Sequence, residues 1–207
     1  QEIMHTREHV HFNKKIVEAG YDTSRLDAHV DEVMDFIKTR PQIVNLNATM
    51  ALEHYTAILA KQFLEDPAAF AGTDKEQADM WKWHAVEEIE HKGVAYDTWL
   101  HATRGWSRFK RWRAKTIMML LVTYNFWKHR YIGMLDLLRQ DGITGWTAHK
   151  GLLKFLLGKP GILRKLVGPW STYFIPGFHP WNEDDRALIG SFDSDYEAAR
   201  LPQALAA

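Results

Sequence analysis

At 207 residues the chain is long enough for one domain with a sizeable core, and its 26 Lys/Arg balance its 26 Asp/Glu. It has no cysteine, which excludes disulfides, iron–sulfur clusters and thiolate zinc sites. The balance hides a polarity. Residues 1–103 carry 10 Lys/Arg against 18 Asp/Glu, residues 104–170 carry 14 against 2, and residues 171–207 carry 2 against 6.

Residues 1–19 read as a helix stopped at Gly20. In it, Glu2-Ile3-Met4-His5 has the Glu-x-x-His spacing, and His9 follows one turn on along the same face. Asp22, Thr23 or Ser24 can cap a second helix from about Arg25 to Thr39, whose Leu26, Val30, Val33, Met34 and Ile37 keep a helical period. Pro41 breaks the chain or opens a third helix, which continues through Glu53 to about Glu65. A loop follows, and Thr73 or Asp74 caps a fourth helix predicted to run to about His101. On it His84, Glu88 and His91 fall at roughly 0°, 40° and −20° around the axis, one narrow strip two turns long. No segment alternates long enough to predict a strand.

From Arg104 the composition turns basic and aromatic. The apolar run Ile117–Trp127 is too short to span a bilayer. The stretches 152–160 and 162–167 read as short amphipathic helices with basic polar faces. Such helices either lie at a membrane interface or pack on the bundle with snorkelling lysines and arginines. No nucleic-acid motif accompanies the charge, so nucleic acid is not an expected partner. The last 30 residues, rich in Pro, Gly and acids, read as loop and tail.

Two Glu-x-x-His helices and a further glutamate, Glu53, make the ligand set of di-iron and di-manganese carboxylate bundles. One such motif alone is common on solvated helix faces. Here the flanks Ala85, Ile89 and Ala51, Leu52 mark buried helices, where unpaired carboxylates would be costly. The expected fold is all-α, a ferritin-like helical bundle with additional C-terminal amphipathic helices. Residues 1–103 should form the di-metal core and residues 104–207 a basic, aromatic-rich extension packed on it. The expected metal ligands are Glu2, His5, Glu53, His84, Glu88 and His91. His9, Glu87 and His54 are expected behind them, Glu87 as an acceptor orienting a histidine. Two divalent ions are implied, iron first, with manganese or zinc as alternatives. Tyr55 and Trp83 are candidates to line a substrate pocket, and His179 reads as a turn residue.

The motifs Glu2-x-x-His5 with Arg7-Glu8-His9 and Phe12-Asn13, Ala51-Leu52-Glu53-His54-Tyr55, Trp83-His84-x-x-Glu87-Glu88-x-Glu90-His91-Lys92 and Pro176-Gly177-Phe178-His179-Pro180-Trp181 resemble a bacterial family of predicted metal-dependent hydrolases across essentially the whole chain. The resemblance implies metal binding and one further helix upstream carrying another ligand, so the chain is expected to be part of a longer protein. His84-x-x-x-Glu88-x-x-His91 is also similar, over one helix, to the arylamine N-oxygenases of the ferritin-like class, which implies a ligand role for His84. Two mechanisms stay open. In the first and favoured one, a di-iron site activates dioxygen to oxidise a hydrophobic small molecule. In the alternative, a metal-bound hydroxide hydrolyses an ester or amide. Metal storage or a membrane-associated scaffold is the non-catalytic reading. The expected location is the cytoplasm, in peripheral contact with the inner membrane.

Overall fold

A computed structural model describes residues 2–66, 68–159 and 161–192, with the side chains of Glu2 and Met4 left aside. The described residues form, ahead of a last helical stretch at 186–192, the helices α1 (Glu2–Glu18), α2 (Ser24–Lys38), α3 (Gln42–Glu65), α4 (Lys75–His91), α5 (Val94–Ala102), α6 (Arg108–Gln140), α7 (Gly145–Leu153) and α8 (Ile162–Thr172). A π turn (Lys154–Gly158) links α7 to α8, and a 3-10 turn covers Pro180–Asn182. There is no strand among the described residues, so the all-α expectation holds.

The caps follow local chemistry. Asp74 accepts from the amides of Glu76 (3.0 Å) and Gln77 (3.4 Å) at the head of α4, and Ser107 accepts from Lys110 (3.2 Å) at the head of α6. Gly20 stops α1 with φ of 97°, a conformation that favours glycine.

The central helix is α3, against which α4, α5, α6 and α8 all pack. One face buries Met50, Ala51, Tyr55 and Ile58 with Trp99 of α5, Met119 of α6, Leu166 of α8 and Tyr173. The acidic and basic parts of the chain therefore share one core. Removing surface like this from water stabilises by roughly 25 cal/mol per Å². Another stretch of α3, at Ala60, meets Ala85 and Ile89 of α4. In contrast, no described residue of α1 or α2 is fully buried. Helix α2 rests on α6 through Arg25–Asp136 (3.1 Å), Tyr21 ahead of it bonds Asp141 just past α6 (2.7 Å), and Leu26 of α2 lies over Gly133.

Two expectations are corrected. The helix predicted to reach His101 breaks at Lys92-Gly93, where α4 ends and α5 begins. A Cβ on Gly93 would stand 2.5 Å from the indole nitrogen of Trp181, so the break makes room for a distant segment. As far as Phe192 that segment is not a loose tail, and the rest of the predicted tail, 193–207, lies outside the described residues. Residues 186–192 are helical, with Leu188 and Ile189 packed on the Ala60–Ala85–Ile89 cluster. Asp185, itself buried, accepts from Lys92 (2.5 Å) and Lys61 (2.7 Å). Burial alone would raise its pKa, but the two ammonium groups outweigh burial and hold it below the carboxylate range.

No helix of the described residues is long and apolar enough to cross a membrane.

Candidate metal centre

The i,i+4 spacing of His5 and His9 directs both imidazoles from α1 toward α4, where His84 meets them. Ring centroids of His84 lie 4.4 Å from His5 and 4.8 Å from His9, each edge-on. One ring nitrogen from each of the three lies within 4.8 Å of the others. The Nε2 atoms of His5 and His9 are 2.9 Å apart. Glu88 brings Oε1 to 3.6 Å from His84 Nε2 and 3.9 Å from His5 Nε2. A tetrahedral centre with bonds of about 2.0–2.1 Å has donor–donor edges of roughly 3.3–3.4 Å. The three imidazoles thus converge on one point at spacings of the order one cation requires, and Glu88 stands beside them.

Behind the cluster, Glu87 is 2 % exposed, and its Oε2 lies 3.3 Å from His5 Nδ1. A carboxylate at that distance favours the tautomer with a proton on Nδ1, which leaves the Nε2 lone pair for a cation. Burial, then the neighbouring His5 and His9, pushes the His84 imidazole down to about 4. Burial and then His5 lower His9 as well. Neutral imidazoles are the form that binds metal, and these donors fit a divalent cation such as zinc, iron or manganese.

The centre opens onto a cavity of about 470 Å³ between α3 and α4, of which His84 and Glu88 form part of the wall. The rest is largely apolar: Phe12, Leu59, Ala60, Phe63, Phe70, Trp81 and Ala85, with Thr56, Thr73 and Gln77 among the polar members and no lysine or arginine. His9 and Phe12 both stack edge-on against Trp81, so α1 seals one side.

The other residues proposed from sequence fall as follows. His91 ends α4, half-buried, one turn beyond Glu88. Glu53 is half-buried on α3, and helical register puts it on the strip of Thr56 and Ala60, beyond the cavity toward the α4 end that carries Glu88 and His91. The Glu2 side chain lies outside the described residues. His54 is not brought to the cluster. It is buried against Tyr173 (5.0 Å) and Phe178 (5.1 Å), and burial pushes its imidazole down to about 4. Tyr55 is a core residue whose hydroxyl accepts from Trp127 (3.0 Å). His179 accepts from the Trp181 amide (3.2 Å) in the turn at Pro180. Sequence reasoning missed the aromatic wall. Its signal was there, since Gln77, Trp81, His84 and Glu88 share one strip of α4.

An all-helical bundle with converging imidazoles, a carboxylate and an adjoining apolar cavity defines a metal-binding protein of enzyme-like build. The chain belongs to the family of predicted metal-dependent hydrolases, whose pattern matches residues 1–184. No curated protein and no solved structure matches it.

Proposed function

We propose that the protein is a metal-dependent hydrolase acting on an uncharged ester or amide with an apolar acyl or aryl group. The observation that carries this is the junction of donors and cavity, where His84 belongs to both and Glu88, 3.6 Å from it, lines the cavity. In this reading His5, His9 and His84 hold one divalent cation, in the three-histidine arrangement of catalytic sites that keep a position open. The cation would supply Lewis acidity, polarising the scissile carbonyl and acidifying water. Glu88, at the mouth of the cavity, accepts the proton of the attacking water on its carboxylate and returns it to the leaving group. Glu87 keeps the His5 ring oriented. The aromatic wall binds the apolar part of the substrate and excludes water, and without a cationic lining it gives an anionic substrate no counter-charge.

The test uses the full chain, stripped by chelation and reloaded with zinc, manganese or, under anaerobic conditions, ferrous iron. Metal is counted per chain, and hydrolysis of nitrophenyl esters with lengthening acyl chains is followed with and without oxygen. Metal-dependent, oxygen-independent hydrolysis that improves with acyl length is expected, with one ion per chain. Oxygen consumption by the ferrous form without hydrolysis would return the dioxygen mechanism to first place. Two ions per chain would bring Glu53 and His91 into the ligand set.

A further inference from the structure

We infer that the face formed by α7 and the following π turn docks on an anionic lipid bilayer, an inference independent of the hydrolase reading. Between Asp141 and Glu183 the sequence contains no acidic residue but five lysines and arginines. Within this stretch Trp146, Lys150 and Leu153 recur at helical spacing on one side of α7, and Lys154 and Leu157 follow in the π turn. Ala148, Leu152 and Leu156 turn toward the protein and are buried, whereas Trp146, Lys150, Leu153, Lys154 and Leu157 are all exposed, as is Phe155. Trp146 is 75 % exposed, Leu153 42 % and Leu157 49 %.

Isolated exposed apolar residues are ordinary. A strip about 16 Å long, with an indole at one end, leucines along its middle and lysines beside them, has the composition of a helix lying in the interface plane. Indoles favour the headgroup level, and lysine stems extend to phosphates while leucines enter the acyl boundary. The neighbouring α8 continues the pattern with exposed Val167 and Arg164.

Charge selects the occupant. A second copy docked face to face about a two-fold axis would set Lys150 and Lys154 against their own equivalents, with no acid within the strip to compensate. Nucleic acid would meet leucine along the middle of the strip instead of a row of cations. An anionic bilayer matches both the cations and the leucines.

The experiment is co-sedimentation of the full chain with vesicles of phosphatidylcholine alone or mixed with phosphatidylglycerol, at low and high salt. Pelleting is expected only with phosphatidylglycerol and should weaken as salt rises. Each lysine removed near such a surface should weaken partition roughly 5-fold, so K150A/K154A should lose roughly 25-fold. W146S/L153S should also fall, with an unchanged circular dichroism spectrum because both positions are exposed. The inference is overturned if the parent chain stays in solution with phosphatidylglycerol vesicles at low salt. It is equally overturned if W146S/L153S pellets like the parent, or if that variant instead abolishes a lipid-independent dimer seen by sedimentation.

Discussion

Adjacent glutamates on α4 carry different tasks because they leave the helix about 100° apart. Glu87 points into the interior behind His5, whereas Glu88 stands between the imidazoles and the cavity. Glu87→Gln should therefore lower metal affinity by roughly 10–100-fold, measured by competition with a chromophoric chelator. Glu88→Gln should keep metal and lose roughly 10²–10⁴ in turnover, and the reverse pattern would exchange the two roles. Lys115 offers a separate check on packing. Burial pulls its amine down to about 8, while the Tyr173 carbonyl (2.5 Å) and the faces of Tyr173 and Phe178 favour its charged form. Between about pH 8 and its ordinary 10.5 the unfolded chain binds the extra proton, so stability should rise with pH across that window. Denaturant melts at both ends should show this slope in the parent and lose it in Lys115→Met. The pairing of His84 with Glu88 was legible because the two share one strip of α4. The place of His9 was not, because what separates a supporting histidine from a central one is the approach of α1 to α4, which no spacing within α1 encodes.

Helices α1, α3 and α6 end or begin close to where their caps and breakers put them, since those signals act within a turn. The break between α4 and α5 is different in kind. Nothing in Lys92-Gly93-Val94 outweighs the helical period around it, and the cause is Trp181, about 90 positions away in sequence and wedged against Gly93. Gly93→Ala should cost about 1–3 kcal/mol by overpacking against the indole, read as a fall in the denaturation midpoint. If Trp181→Ala is made as well, the alanine at 93 should cost less than it does alone. The clasp around Asp185 belongs to the same docking event. Asp185→Ala would leave the buried Lys92 without its carboxylate and should cost about 3–5 kcal/mol, and a cost near zero would mean that the segment 183–192 adds little to the bundle. The acids that made this segment read as a tail are the groups that fasten it. Composition alone does not distinguish the two, because the two lysines they meet lie on α3 and at the end of α4.

At the scale of the molecule, the bundle has a firm part and a light one. Helix α3 sits among four others and holds the core, while α1 and α2 bury no described residue fully and meet α4 and α6 through a few side chains. The candidate metal centre spans that boundary, with two imidazoles from the light part and His84, beside Glu88, from the firm part. A cation held there would cross-link α1 to α4, and its binding free energy would appear as folding stability of the weakest region. At free metal about 100 times the dissociation constant, linkage gives about 2.7 kcal/mol. Because α1 opens more readily than the core, most of that gain should appear as local protection. Hydrogen exchange of the full chain with and without zinc should therefore show slowed amides in residues 5–16 and little change in residues 47–60 of α3. His84→Ala should abolish the difference while leaving α3 as protected as before, since half-buried His84 contributes little to the core cluster around Trp99. Uniform slowing across both helices would mean that α1 already folds as one unit with the core. The metal would then act only in chemistry, not as the fastening of its own site.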